Sequence, residues 1–549
     1  MDEHARNEIG IAHSRWASHG GINDRNSHPH IDVTERFALV HNGVIENHKD
    51  IRKFLSDHNI ECDTDTDTET IVQLIYYYSQ ENNFEDAVKL ATDDLEGTWG
   101  LVILDRENPN SLITVRHGSP LLVGLNEDEI FVASEVAAFQ KYTTKYFSLN
   151  NDEILTIVRE DDGIILNVNP TDRIKSMEQE EILITPDPYP HWTLREIMLQ
   201  PDTIQAALNN GARILDDDQV LLGGLERNKI RLLSIKNLVI VGCGTSFNAG
   251  LYGSNIFRLI SGFDTVQVID ASEFTLSHIN NTRHVGILAL SQSGETKDVM
   301  RCLEEVGDKI VTFSVVNRVG SQVARTTNCG VYLNAGREVG VASTKAFTAQ
   351  VTVLSMISIW FGQNRGINPH KRMKLINNIE NLSDLYSEIL NDQKIQNVCD
   401  QIAKYLVDHN TCFILGKEKS AYIAYEGALK IKEIGYIHAE GYPGGSLKHG
   451  PFALIEKGTP IILIVLDDRD RSYMESTVSE VKARGAYSIV ITNIEGYEDG
   501  DVNIVLPENG RLSALLAVIP LQLISYKLSI YKGIDCDKPK NLAKTVTII

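Results

Sequence analysis

The sequence predicts two successive parallel α/β sheets wound with helices on both faces, behind an α+β front third. Three observations carry this. First, apolar runs of strand length alternate with helical patterns from about Ser234 onward. Second, those runs repeat: Leu238–Val241 is echoed by Cys412–Leu415, Val285–Leu290 by Pro460–Leu466, Ile310–Val316 by Tyr487–Ile491, and Val331–Leu333 by Val502–Leu506. The offset is nearly constant, roughly 170 to 180 residues, the mark of a duplicated unit. Third, residues 1 to 183 lack this alternation and carry runs such as Phe37–Val40 and Trp99–Leu104, which read as antiparallel strands.

The elements follow in order. Pro186-Asp187-Pro188-Tyr189-Pro190 ends the front domain, because three prolines in five residues continue neither a helix nor a central strand. A linker is expected over 184–200, the first parallel domain over 201–365, the second over 366–536, and a tail over 537–549. Helices are expected at Thr344–Trp360 and Ala421–Ile434. In such sheets ligands sit at the carboxyl ends of the strands.

Two of those strand ends carry phosphate-cradle signatures. Val241 is followed by Gly242, Cys243, Gly244, Thr245 and Ser246; Leu290 by Ser291, Gln292, Ser293, Gly294, Glu295 and Thr296. A small, hydroxyl-rich turn opening a helix presents free N–H groups where the helix dipole favours an anion. Two neighbouring cradles suggest one phosphomonoester held from two sides. Ordinary turns capped by Ser and Thr are the alternative. There is no G-x-x-x-x-G-K-[ST] run, and Phe247 stands where a dinucleotide fingerprint needs its third glycine. In the second copy the loops read Gly416-Lys417-Glu418-Lys419-Ser420 and Asp467-Asp468-Arg469-Asp470, whose acidic side chains would repel a phosphate.

The chain has 549 residues, 42% hydrophobic and 23% charged, as in ordinary globular proteins. A net charge of −22 argues against nucleic acid as a partner. The seven cysteines form no C-x-x-C pair, which fits reduced thiols and a cytoplasmic location. No run approaches the ~18 uninterrupted apolar residues of a membrane span, and the first residues show no signal-peptide core.

Several stretches together resemble the glutamine–fructose-6-phosphate aminotransferase family. In the back two-thirds they are Cys243–Ser246, Ser291–Thr296, Val341-Ala342-Ser343-Thr344-Lys345, Glu426–Glu433, Leu447-Lys448-His449-Gly450-Pro451 and Asn541-Leu542-Ala543-Lys544. In the front they are Ala12–Gly20, His28-Pro29-His30, His41-Asn42-Gly43 and Thr66-Asp67-Thr68-Glu69. The resemblance implies tandem sugar-isomerase (SIS) domains behind a class II glutaminase domain of the N-terminal-nucleophile αββα type. The implied activity makes glucosamine 6-phosphate and glutamate from fructose 6-phosphate and glutamine, in amino-sugar biosynthesis. No cofactor, metal, nucleic acid or membrane is implied.

Roles follow residue by residue from the resemblance. Ser291, Gln292, Ser293 and Thr296 would take the phosphate. Cys243, Gly244, Thr245, Ser246, Val341, Ser343, Lys430 and Ala543 would line the sugar. Lys544 would form a Schiff base with the C2 ketone, since an iminium is the stronger electrophile. Glu433 would shuttle the C1–C2 proton. Lys430 shares a helix face with Glu433 and with Glu426, for which a surface salt bridge is the alternative. His449 would open the ring, reaching into the neighbouring subunit of a homodimer. Arg15, Trp16, His19, Asn42, Gly43 and Asp67 match glutamine-binding and oxyanion positions, with Trp16 as a channel gate. A metal reading of His13, His19, His28, His30 and His41 lacks carboxylates at ligand spacing.

Two departures stand out. The family's glutaminase opens on a nucleophilic cysteine, whereas this sequence opens Met1-Asp2 and its earliest cysteine is Cys62. Two expectations stay open: a gene start placed too far downstream, or a domain that lacks its nucleophile and first strands, with synthesis drawing on external ammonia. Ser446 stands where the family commonly carries Glu. Two other classes remain open: a sugar-phosphate isomerase or deaminase on the same back domains, and a non-catalytic sugar-phosphate sensor.

Overall fold

The computed structural model describes residues 9–13, 23–119, 121–134, 138–139, 141–160, 163–176, 185–279 and 282–544. The chain falls into two compact units that divide between Ile182 and Leu183.

In the front unit a six-stranded antiparallel sheet is built around Phe37–Ile45, Gly97–Asp105 and Ser111–His117. Alternation along the strands sorts their side chains. Phe37, Leu39, Leu101 and Ile103 pack under the helices His48–Asp57, Asp67–Ser79 and Phe84–Asp93. Val40, Val102 and Leu112 face the other way, toward Val123 and Phe147 of a four-stranded antiparallel sheet. This two-faced burial is the period-2 pattern expected of strands sandwiched between layers.

The back unit contains the two predicted parallel sheets. The first has strands β1 (Asn237–Gly242), β2 (Thr265–Asp270), β3 (Val285–Ser291), β4 (Val311–Val316) and β5 (Cys329–Tyr332), in the order β2-β1-β3-β4-β5. The second has β6 (Thr411–Gly416), β7 (His438–Pro443), β8 (Pro460–Val465), β9 (Tyr487–Thr492) and β10 (Val502–Val505), in the order β7-β6-β8-β9-β10. Every strand pair in both is parallel. The strand order reverses between the first and third strand of each sheet, the switch point at which ligands bind in folds of this kind. Both predicted cradles lie there, at the ends of β1 and β3.

The structure departs from the expected segmentation in three ways. Residues 192–200, expected as linker, are largely helical: α1 (Trp192–Met198) buries Thr193, Glu196 and Ile197, and α2 (Gln200–Ala207) begins directly after it. On one face the two sheets share a core, while on the other each keeps its own, around Val239 and Ile287 in the first and Phe413 and Leu463 in the second. One continuous apolar cluster runs from Ile240 and Leu288 through Ile414 and Ile462, bridged by helices α5 (Lys345–Asn364) and α7 (Val518–Tyr531). α7 belongs to the apolar stretch Gly510–Tyr531, which is long enough to span a membrane but is buried in this core instead. Finally, the edge strands β2 and β7 were not anticipated. β7 carries Gly441 and Pro443, which speak against a strand interior and are tolerated at an edge.

Candidate active site

The first cradle is where β1 gives way to helix α3 (Thr245–Ile260), and the second where β3 gives way to α4 (Lys297–Val306). Neither helix has a side-chain cap on its first turn, and in α3 the Ser246 and Phe247 N–H groups donate to the Cys243 carbonyl at 3.1 and 3.4 Å. In the second cradle the Gly294 N–H donates to Ser291 Oγ at 2.9 Å, and Ser291 and Thr296 hydroxyls bond at 2.8 Å. The Glu295 N–H donates to Ser293 Oγ at 3.1 Å. These bonds curl Ser291, Gln292, Ser293 and Thr296 into a single turn. In the first cradle Gly244 takes φ +53° and ψ −124°, a conformation that costs glycine least.

The first cradle is completed by the second repeat. Helix α6 (Lys419–Gly435) brings Glu426 against α3, where its carboxylate accepts from Thr245 Oγ1 at 3.0 Å and from Asn248 Nδ2 at 2.8 Å. Lys430 Nζ donates to Thr245 Oγ1 at 3.0 Å, and lies 3.3 Å from Glu426 and 2.6 Å from Glu433. The side chains of Lys430 and Glu426 are 1% and 0% exposed, which excludes the surface salt bridge. Burial opposes the Lys430 charge, but Glu426 and Glu433 outweigh it and raise its pKa, so it stays an ammonium. Burial pushes Glu426 up, against the pull of Lys430.

The tail reaches the same region from the other side. Asp537 caps α1, accepting from the Trp192 and Thr193 N–H groups at 2.9 and 2.8 Å, while its own carbonyl accepts from Val341 N–H at 3.1 Å. Lys540 N–H donates to Tyr436 Oη at 2.6 Å. So anchored, the tail places Lys544 Nζ 2.6 Å from Glu338 Oε2. Glu338 was not foreseen. It is buried and also accepts from Ser343 Oγ at 2.9 Å, Thr344 N–H at 2.9 Å and Ala346 N–H at 3.1 Å. Burial resists its charge, but Lys544 and these N–H groups overcome that and hold its pKa down at about 2. The charge on Glu338 also raises Lys430, so the tail's lysine and the α6 lysine share one electrostatic site.

His449 stands apart. It ends a 3-10 turn, Gly444–His449, and is exposed, with no hydrogen bond or ion pair to this cluster. Ser446 lies in the same turn.

In the front unit, Asn42 and Gly43 lie on the strand Phe37–Ile45, opposite Gly100 and Trp99. A Cβ at Gly43 would fall 2.0 Å from the Thr98 carbonyl oxygen, so only glycine fits this close approach. Asp67 opens the helix Asp67–Ser79, is buried, and accepts from Ile45 N–H at 2.9 Å. His13 stacks on His28, and His41 and His30 bond Thr68 and Thr66. No grouping of metal-ligand type occurs among the described residues. Arg15, Trp16 and His19 lie outside the described residues.

The SIS domain model matches residues 231–359 and again 405–532, and the glutamine amidotransferase domain model matches 15–141. A glutamine–fructose-6-phosphate aminotransferase [isomerizing] from Bacteroides thetaiotaomicron is 36% identical, over 98% of this chain and 89% of that protein. The chain belongs to this family. A Chlorobaculum tepidum protein of the same name gives the same identity and the same coverage. Among solved structures, the C-terminal domain of glucosamine-fructose-6-phosphate aminotransferase from Francisella tularensis superposes with a TM-score of 0.57 at 31% identity, covering 65% of this chain and all of that one. A glucosamine-6-phosphate deaminase from Thermotoga maritima, at 24% identity and a TM-score of 0.50, shares the fold.

Proposed function

We propose that this chain aminates and isomerises fructose 6-phosphate to glucosamine 6-phosphate, as the names of its relatives describe. The observation that carries the reading is the meeting of Lys544, Glu338, Lys430 and Glu433 beside Thr245 and the first cradle. The two cradles hold the phosphate through Ser291, Gln292, Ser293 and Thr296, with N–H groups at two helix starts adding their dipoles. Cys243, Gly244, Ser246, Val341, Ser343 and Ala543 line the sugar.

In this reading Lys544 condenses with the C2 ketone: its amine adds to the carbonyl, water leaves, and an iminium forms. Ammonia adds to the iminium carbon and the bond to Lys544 Nζ breaks, which frees the lysine amine and leaves an imine at C2; Glu433 then moves a proton from C1 to C2, and the C1 hydroxyl becomes the aldehyde. Lys430, fixed as an ammonium between two carboxylates, holds the sugar's oxygen atoms in place during that transfer. His449 serves ring opening from a partner subunit, which makes a homodimer the working form; its exposure fits that role. Seven free cysteines fit a reducing cytoplasm.

Glutamine is the donor in the relatives' names, and the front unit supplies the matching domain. Burial pushes the thiol of Cys62 up to about 12, beyond what Arg52 offsets. The donor is therefore read experimentally. Glucosamine 6-phosphate formation is measured with fructose 6-phosphate plus ammonium, and separately plus glutamine. Product from either source is expected. Glucose 6-phosphate formed without a nitrogen donor, and no amino sugar with one, refutes the assignment.

A further inference from the structure

Glu338 sits 206 residues from Lys544 in sequence, yet it receives the lysine's ammonium inside the site. Its two oxygens divide their work. Oε1 accepts the Thr344 and Ala346 N–H groups at the start of α5. Oε2 accepts both Ser343 Oγ and Lys544 Nζ. The first pair fixes the carboxylate to the amino end of a 20-residue helix, whose dipole favours the negative charge. The second pair leaves one oxygen joining the tail to the loop 341–343.

We propose that Glu338 is the positioning residue for Lys544, seating its amine in register with the sugar-contacting loop. The proposal rests on the reading of Lys544 as the covalent residue. It uses a geometry that a simple helix cap does not need, since Oε1 alone satisfies the cap. The groups facing Glu338 from the surrounding elements support it. Glu196 of α1 accepts the Val339 and Gly340 N–H groups, while its Oε2 has no partner. Burial first, and then the charge on Glu338, push Glu196 up to about 8, so it keeps its proton and leaves the negative charge on Glu338. Lys345, itself buried, is pushed down chiefly by burial and is not hydrogen-bonded to Glu338. The lysine that Glu338 grips is therefore the tail's.

The test separates binding from attack in the full chain. Fructose 6-phosphate affinity is measured by calorimetry, borohydride trapping at Lys544 by peptide mass spectrometry, and kcat with ammonium as donor. Glu338→Gln keeps the shape and the Oε1 acceptor. We expect its affinity within about threefold of wild type, with trapping and kcat both down at least 30-fold and partly restored in Glu338→Asp. Wild-type trapping in Glu338→Gln overturns the proposal. Absence of trapping in the wild type instead overturns the reading of Lys544. A second variant avoids any folding failure at Glu338. In Lys544→Met, hydrogen exchange over residues 537–544 should rise at least tenfold if the ion pair seats the tail; unchanged exchange overturns the proposal.

Discussion

After β1 the chain turns through Cys243-Gly244-Thr245, and after β6 through Lys417-Glu418-Lys419. The backbone does the same thing in both places: Gly244 has φ +53° and ψ −124°, and Glu418 has φ +50° and ψ −118°. The chemistry is opposite. The first turn is small and carries hydroxyls. The second is filled by ion pairs, Lys417 with Asp470, Lys419 with Asp468, and Arg469 with Glu418. The expected acidic repulsion is thus only half the story, because each acid has a cation and the loops are occupied by their own side chains. The repeat kept its fold and lost its vacancy. Its helix α6 instead supplies Glu426, Lys430 and Glu433 to the other copy.

The sharpest way to break this comparison is to make the first cradle resemble the second. Ser291→Asp places a carboxylate where the phosphate is expected, and like charges in contact cost several kcal/mol. The kcat/KM for fructose 6-phosphate should fall about 10³-fold, whereas Asp467→Ser in the second copy should leave it within about twofold. Equal effects at the two sites would end the distinction.

Next in size is Glu426→Ala. It strips a buried partner from Lys430 and orphans Asn248, and losses of about 3 kcal/mol are typical when half a buried pair is removed. Urea denaturation should show it as a lower midpoint with an unchanged slope. A smaller exchange concerns the shared turn. Glu418 holds a conformation that favours glycine, so Glu418→Gly should stabilise by about 1 kcal/mol, while Gly244→Ala should destabilise by about 1–3 kcal/mol. Thermal melts of the two variants should move in opposite directions.

The smallest effect is a slope in pH. After β5 the first copy holds the buried acid Glu338, with Glu196 of α1 packed beside it, whereas after β10 Glu508 is exposed. Glu338 has a folded pKa of about 2, below its ordinary 4.5, so its contribution is full above 4.5 and is lost as pH falls toward 2. Glu196 runs the other way. Its folded pKa of about 8 lies above the ordinary 4.5, so the native state binds the extra proton and stability declines as pH rises from 4.5 to 8. Glu196→Gln should flatten the decline in Tm between pH 6 and 8; an unchanged profile would place the proton elsewhere.

The central strands and the cradle turns were legible because each is a local pattern: an apolar run, then small polar residues opening a helix. Lys430 and Glu433 were legible as a helix face, but the burial of Lys430 and Glu426 was not, since nothing in Glu426–Glu433 says that α3 will cover it. Glu338 and Glu196 were invisible for a different reason. Each lies in an unremarkable segment and acquires meaning only from Lys544 or Gly340, far away in sequence. The edge strands β2 and β7 are paired on one side only, so their sequences tolerate polar residues, glycine and proline and lack the apolar run that marks β3 and β8. His449 was named from resemblance alone, and this chain by itself gives it no neighbour in the site.

The bond from Glu426 to Thr245 and Asn248 has an engineering consequence. Since a carboxylate encoded in the later repeat finishes the turn encoded in the earlier one, a gene cut between them yields two fragments, neither holding the whole Thr245–Glu426–Lys430 cluster. Chimeras with a related enzyme should therefore be exchanged as an intact tandem.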